Sequence, residues 1–123
     1  MAKPHYLLKP VAWMASSRDD LREFPADVRA LMGEAIYQAQ KGDEHPRAKA
    51  LKGFGGRAVL EIVDDHDGDA YRAVYTVRFA GMIYVLHAFQ KKSKRGIATP
   101  QAVMELIRQR LKAAELHFAS LED

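Results

Sequence analysis

The clearest hydrophobic pattern in the chain lies between Pro25 and Gly42. Apolar side chains recur there at intervals of three and four residues, which places them on one face of a helix: Val28, Leu31, Met32, Ala35, Ile36 and Ala39. Lys41 then precedes the glycine, a combination that is typical of helix ends. A shorter helix is predicted before Pro25, beginning near Ser16 in a Ser-x-x-Asp pattern. The pattern predicts two consecutive helices, of which the second buries one apolar face.

A second pattern, of period two, follows in the middle of the chain. Three segments have the composition of strands, at about Val59–Val63, Tyr71–Phe79 and Met82–Gln90. Asp67-Gly68 and Ala80-Gly81 separate them, and both dipeptides suit tight hairpins. In the middle segment one face carries Tyr71, Ala73, Tyr75, Val77 and Phe79. That face is expected to pack on the helices, which leaves Arg72 and Arg78 on the open face of the sheet.

The two ends of the chain complete the predicted fold. Residues 7–13 have strand-like composition, although Pro10 restricts them to an edge or irregular strand. Thr99 and Pro100 begin a last helix, whose apolar positions are Val103, Ile107, Leu111, Ala114, Phe118 and Leu121. The sequence therefore predicts one α+β domain over residues 1–123, in the order β-α-α-β-β-β-α. Its mostly antiparallel sheet is expected to have about four strands, with the helices packed on one face.

Composition restricts the class of protein. The 123 residues suit a single domain, and 48% apolar with 28% charged residues is typical of a globular chain. The absence of cysteine excludes disulfides and thiolate metal sites and favours a reducing compartment. No apolar run is long enough to span a membrane, and the N-terminal HYLLKPVAWM lacks the features of a signal peptide. A cytoplasmic protein without a membrane partner is expected.

Charge is segregated along the chain, although the net charge is only +3. One basic stretch contains Arg47, Lys49, Lys52 and Arg57. Another follows the last strand and contains Lys91, Lys92, Lys94 and Arg95. An acidic turn lies between them, with aspartates at positions 64, 65, 67 and 69. Such segregation suits a polyanionic partner, although a solvated loop explains any single lysine of the last cluster equally well.

Metal and cofactor sites find no support in the sequence. The five histidines lack ligand spacing, and the GFGG run lacks the spacing of a phosphate loop. The segment from Asp65 to Asp69 resembles the start of a calcium loop, but Thr76 occupies the twelfth position, where a bidentate Glu is needed. No catalytic triad or pair of carboxylates stands out. We expect neither a metal nor a cofactor.

Four strings of the sequence point to a known family: LREFPADVRALMGEAIYQAQKGD, AKALKGFGGRAVLEI, YRAVYTVRF and IYVLHAFQKKSKRGIATPQ. With this order of elements, the chain resembles the RelE/ParE superfamily of type II toxins, and specifically the phage-derived HigB-like branch. The resemblance implies an endoribonuclease that cuts mRNA, typically in the ribosomal A site. It also implies a cognate antitoxin, encoded by a neighbouring gene, that binds the toxin in a hetero-oligomer and holds it inactive.

The resemblance also implies which residues act on RNA. In the ribonuclease members, cations on the open face of the sheet position the scissile phosphate; they correspond here to Arg72 and Lys91, with Lys92 and Lys94 as near substitutes. The expected catalytic residues are Arg72, Lys91, Lys94 and His87. The expected RNA-binding residues are Lys49, Lys52, Arg57, Arg78, Lys92 and Arg95. An arginine suits a phosphate because its planar fork binds two oxygens; the alternative for Arg72 is a pair with Glu61 or an aspartate of the turn.

His87 is a conceivable general acid or base, since its ordinary pKa is about 6.5. Strand parity does not determine its face, and a structural, hydrogen-bonded histidine is the alternative. Two departures from RelE enzymes limit the mechanism. Val59, Leu60 and Glu61 replace basic residues of the first hairpin strand, and the tyrosine that RelE places after its last strand has no counterpart. A non-catalytic ParE-like inhibitor of DNA gyrase and a degenerate nucleic-acid-binding relative therefore remain as alternatives.

Overall fold

The structure, a computed structural model, describes residues 7–92 and 99–121, with the backbone alone at positions 91 and 92. Its helices are α1 (Ser17–Arg22), α2 (Ala26–Gln40) and α3 (Gln101–Leu121). Its strands are β1 (Val11–Trp13), β2 (Lys49–Ala50), β3 (Val59–His66), β4 (Asp69–Thr76) and β5 (Ile83–Lys92). The predicted α+β class is confirmed.

The five strands form one mixed sheet in the order β1-β5-β4-β3-β2. β1 is parallel to β5, whereas the other three pairings are antiparallel. The sequence analysis predicted about four strands and did not include β2. This strand has only two residues and lies in a stretch without alternation of apolar and polar positions. This short strand matters for the site, because it brings Lys49 opposite Glu61.

The first face of the sheet is covered by α1 and α2. The predicted stripe of α2 is confirmed: Val28, Met32, Ala35, Ile36 and Ala39 are buried, and Leu31 is partly buried. They pack against side chains of β3, β4 and β5, among them Ile62, Tyr75 and Val85. Burial of this continuous apolar surface is the main force that holds the two helices on the sheet.

The second face is covered by α3, which is where the structure differs from the predicted arrangement. Ile107 and Ala114 of this helix are fully buried, in a cluster with Val74, Tyr84 and Leu86. The central strands present apolar side chains on both faces, so both faces need cover from water. α3 has 21 residues. Within the described residues, no helix is both long and apolar enough to cross a membrane.

The middle strand is shorter than its sequence pattern predicted. β4 ends at Thr76, so the alternation does not continue to Phe79. The Phe79 ring lies on the α3 side, with its centroid 5.5 Å from that of Tyr84 and 5.2 Å from that of Phe118. Arg78 is consequently an exposed residue beyond the strand, with its guanidinium carbon 5.8 Å from the centroid of the Phe79 ring. The expectation that Arg78 shares a strand face with Arg72 is wrong.

Both predicted turns are present. Asp67 and Gly68 connect β3 to β4 with φ angles of 50° and 84°, which is the left-handed pair that a two-residue hairpin of type I′ requires. Gly81 has a φ of 82° in the turn before β5, where the Met82 amide donates to the Phe79 carbonyl at 3.1 Å. Both glycines thus adopt the left-handed backbone conformation that their turns require.

We expect opposite effects on stability from alanine at two glycines that have equally open surroundings. A methyl group at Gly33, inside α2, or at Gly68 meets no atom within 4 Å, so only the backbone differs. Gly33→Ala is expected to raise the free energy of unfolding by about 0.5–1 kcal/mol through helix propensity. Gly68→Ala is expected to lower it by about 1 kcal/mol, because alanine strains the left-handed turn. Urea unfolding measures both, and the same sign of change for the two variants would contradict the structure.

Candidate functional site

A partly buried ion pair joins β3 and β4 on the α3 side of the sheet. Nη1 of Arg72 donates to Oε2 of Glu61 at 3.0 Å, with 17% and 5% of the respective side chains exposed. Nη1 also lies 3.5 Å from Oγ1 of Thr99, just before α3. The sequence left open whether Arg72 faces open solvent or pairs with a carboxylate, and the structure shows the pair.

The ion pair leaves part of the arginine unused. Nε of Arg72 is buried and has no hydrogen-bond partner among the described residues. A guanidinium carries five N–H donors and is always charged, so a buried donor without an acceptor is costly. Its fork geometry matches two oxygens of a phosphate or carboxylate. The unused donor makes Arg72 a candidate anion ligand even though Glu61 already binds one of its terminal nitrogens.

Arg72 and Glu61 line a cavity of about 330 Å³. Lys49 of β2 and Lys52, in the turn that follows, contribute two more cations to its wall. Thr99 and Met104 close the side towards α3. Three cations and one carboxylate give the lining a formal surplus of two positive charges, so the cavity favours an anion. Its volume is in the range of small-ligand sites.

The other predicted cations are not gathered at this cavity in the described part of the chain. Arg57 forms an ion pair with Glu44, and about half of each side chain is exposed. Arg57 and Arg78 do not line the cavity. Lys91 and Lys92 are the last two residues of β5 and lie opposite Ala70 and Asp69, respectively. Only their backbone belongs to the described part of the structure. Lys94 and Arg95 lie outside the described residues altogether.

A β-bulge determines on which face of the sheet His87 lies, a question that strand parity left open. Val74 of β4 is opposite His87 and Tyr75 is opposite Val85, so Leu86 is an extra residue in β5. Leu86 packs in the α3-side cluster, and His87 and Phe89 lie opposite Val74 and Arg72. The bulge therefore places His87 on the same side of the sheet as Arg72.

Arg110 of α3 holds both residues of the bulge. Its Nη1 donates to the Leu86 carbonyl at 3.0 Å and to Nδ1 of His87 at 2.9 Å. The imidazole also stacks on Phe89, with ring centroids 4.8 Å apart and planes 17° from parallel. Burial and then the charge of Arg110 lower the pKa of His87 to about 4, against a smaller opposing effect of Asp20. At neutral pH His87 is therefore uncharged, accepts at Nδ1 and carries its hydrogen on Nε2.

This lowered pKa gives a testable pH dependence. In the unfolded chain His87 binds its proton near pH 6.5, whereas in the folded protein it does so only near pH 4. Between these values the unfolded state binds more protons, so stability is expected to fall as the pH drops through this window. His87→Asn keeps an acceptor for Arg110 but does not titrate. Melting temperatures at pH 7.5 and 4.5 should differ less in this variant than in the parent chain; an equal difference would contradict the burial of His87.

Glu61 is the site residue that the sequence analysis did not select. It appeared there only as a departure from a basic pattern and as one possible partner of Arg72. A carboxylate within the apolar run Val-Leu-Glu-Ile-Val was nevertheless a signal, because a charged residue is rarely buried without a partner. Which cation provides that partner depends on the register of β3 and β4, which the sequence does not contain.

Among residues 7–92 and 99–121, no group of three or more His, Cys, Asp or Glu side chains is placed to hold a metal ion.

Comparison with known proteins identifies the family. The family described as "Phage derived protein Gp49-like (DUF891)" matches residues 19–112, from α1 into α3. The chain belongs to this phage-derived family. The match covers both strands that carry Glu61 and Arg72, so the cavity of this Gp49-like protein is part of the family domain. The description of the family agrees with the phage-derived character that the sequence resemblance implied.

A solved structure of low sequence identity is similar to this Gp49-like protein. It is the crystal structure of the toxin–antitoxin complex RelBE2 from Mycobacterium tuberculosis. The sequences are 16% identical, and the alignment covers 71% of this chain and 95% of the other, with a TM-score of 0.46. No curated protein matches the sequence.

Proposed function

We propose that this Gp49-like protein is the toxin of a type II toxin–antitoxin module, of the HigB-like branch, and cleaves mRNA at the ribosome. The observation that carries the proposal is the state of Arg72 in a cavity with a surplus of positive charge. Its Nη1 binds the Glu61 carboxylate, whereas its buried Nε has no hydrogen-bond partner among the described residues. Its place in a phage-derived family and the sequence resemblance to RelE/ParE toxins support the same function. The protein acts in the cytoplasm, inhibits translation, and binds an antitoxin encoded by a neighbouring gene.

The cavity offers three cations and one carboxylate, which can stabilise charge and accept a proton during RNA cleavage. A backbone phosphate in it meets Arg72 and the two lysines at positions 49 and 52, which stabilise the charge that develops on the phosphoryl oxygens. Glu61 accepts the proton of the ribose 2′-hydroxyl as that oxygen bonds to phosphorus. The bond to the 5′-oxygen breaks, and a cation from the end of β5 or from the segment after it, Lys91 or Lys94, donates a proton to that oxygen. Lys92 and Arg95 bind the neighbouring backbone.

His87 has a narrower part in this proposal than the sequence suggested. Its Nδ1 accepts a hydrogen bond from Arg110, and its ring is uncharged at neutral pH, so it does not serve as a general acid. Nε2 can donate a hydrogen bond to RNA without changing its protonation. Arg57 and Arg78, which do not line the cavity, are assigned to the wider RNA surface.

Induced expression in growing cells, with mapping of mRNA ends, tests the proposal. New ends inside translated messages are expected for the parent chain. Arg72→Lys keeps a charge for Glu61 but loses the fork, so cutting should drop about 100-fold. Lys52→Ala should also reduce cutting. The matched control is Lys112→Ala, which removes an exposed lysine of α3 and should leave cutting unchanged.

Growth arrest with intact messages would contradict the nuclease proposal and support a ParE-like inhibitor, to be tested by supercoiling with purified gyrase. Neither arrest nor cutting, from a protein shown to be folded by its melting curve, would indicate a degenerate relative. In that case, RNA binding that weakens steeply with salt would identify a protein that only binds nucleic acid.

A further inference from the structure

The outer edge of β3 is only partly covered. β4 pairs with β3 along all eight residues from Val59 to His66. On the other side, β2 pairs with Leu60 and Glu61 alone. From residue 62 to residue 66, no strand of the described chain covers this edge. Unpaired strand edges are sites where another extended chain can add by backbone hydrogen bonds.

The backbone groups that face outward can be identified. Leu51 donates its amide to the Val59 carbonyl at 3.0 Å, and Nη2 of Arg47 donates to the Val63 carbonyl at 3.0 Å. Odd-numbered residues of β3 therefore direct their amide and carbonyl groups away from β4. Val63 and Asp65 are the outward-facing residues beyond the end of β2.

A side chain now occupies the position that a neighbouring strand would take. The chain turns away from the edge before β2: the Ala48 amide donates to the His45 carbonyl at 2.9 Å, and Pro46 has no amide hydrogen. Arg47 reaches back over the edge, and its Nη1 also lies 3.4 Å from Oδ1 of Asp64. Its side chain is 49% exposed, so solvent screens the contact and it can be displaced readily.

The uncovered part of the edge is acidic. Asp64, Asp65 and Asp67 are clustered at this end of β3, and the side chain of Asp67 is 92% exposed. A second copy of the chain added antiparallel at the same edge would bring like charges together, which disfavours self-association. A segment rich in lysine or arginine would meet complementary charge.

We infer that the β3 edge, residues 62–66, docks an extended basic segment of a partner polypeptide, which pairs with Val63 and Asp65 and displaces Arg47. The edge residues are not part of the cavity lining. The inference therefore goes beyond the proposed function and holds whatever reaction the cavity performs.

Amide chemical-shift mapping on the ¹⁵N-labelled full chain tests this inference. The probe is a blocked ten-residue synthetic peptide of alternating Thr and Lys. One control peptide has Glu in place of Lys, and another is N-methylated at every second residue, which removes the amides needed for pairing. The Lys peptide is expected to shift the amides of residues 62–66, with Val63 and Asp65 most affected. Both control peptides are expected to shift them little.

Three variants measure the contribution of charge and of Arg47. Asp65→Lys is expected to weaken binding of the Lys peptide about fivefold. Glu115→Lys makes the same change in net charge on exposed α3 surface and should leave the affinity unchanged. Arg47→Ala should tighten binding several-fold, because it removes the group that the peptide must displace.

Four results would overturn the inference. They are shifts confined to the cavity or α3, equal binding of the N-methylated peptide, no tightening in Arg47→Ala, and the absence of binding at millimolar peptide. A single-stranded RNA that shifts the same amides more strongly than the peptide, or a dimer that forms through this edge, would assign it to another occupant.

Discussion

Arg72→Ala is expected to lower the free energy of unfolding by about 3–5 kcal/mol, the largest loss we expect from a single polar side chain in this protein. The substitution leaves the carboxylate of Glu61, which is 5% exposed, without its cation. Desolvation of that charge is then no longer offset by the 3.0 Å contact. The cost arises from the stranded carboxylate more than from the lost attraction.

Urea unfolding measures this effect, with Arg108→Ala as the matched control. Arg108 is also an arginine paired with a glutamate, Glu105, but about half of each side chain is exposed. Its loss should change stability by no more than about 1 kcal/mol. The double variant Glu61→Leu/Arg72→Met should recover most of the stability, because apolar residues of similar size can replace a buried pair. If Arg72→Ala and Arg108→Ala cost the same, the Glu61–Arg72 pair is solvated and the cavity is not a low-dielectric site.

Ile107→Ala is expected to cost about 2–5 kcal/mol, the usual range for a fully buried large side chain. Ile107 is 0% exposed and anchors α3 on the second face of the sheet, in the cluster with Val74 and Leu86. Truncation removes apolar contacts and leaves a void that the surrounding strands fill only in part. Loosening of α3 should also expose the cavity, which Thr99 and Met104 close on this side.

Leu116→Ala is the matched control on the same helix. Leu116 is 66% exposed, so its truncation should change the free energy of unfolding by less than about 0.5 kcal/mol. Urea unfolding followed by circular dichroism measures both variants. If Ile107→Ala and Leu116→Ala had similar small effects, α3 would not pack on the sheet. Thr99 and Met104 would then not line the cavity.

The sequence by itself determined the features that depend on neighbours in the chain. The apolar stripe of α2 was evident because residues three and four apart share a helix face. The Asp67-Gly68 hairpin was evident because few residues adopt consecutive positive φ angles. The start of α3 at Thr99-Pro100 is likewise a local signal, and Val103 donates to the Pro100 carbonyl as expected. These local signals were sufficient for the α+β class and for the placement of Arg72 within the middle hairpin strand.

Only the tertiary structure decided which residues meet at the site. Glu61 and Arg72 are 11 residues apart and become partners through the register of β3 and β4. The bulge at Leu86 turns His87 towards Arg110, 23 residues away. α3 covers a face of the sheet that the sequence pattern left open, and it does so because both faces of the central strands are apolar. Each of these outcomes depends on pairing and packing between distant segments, whose free energies no local pattern of residues encodes.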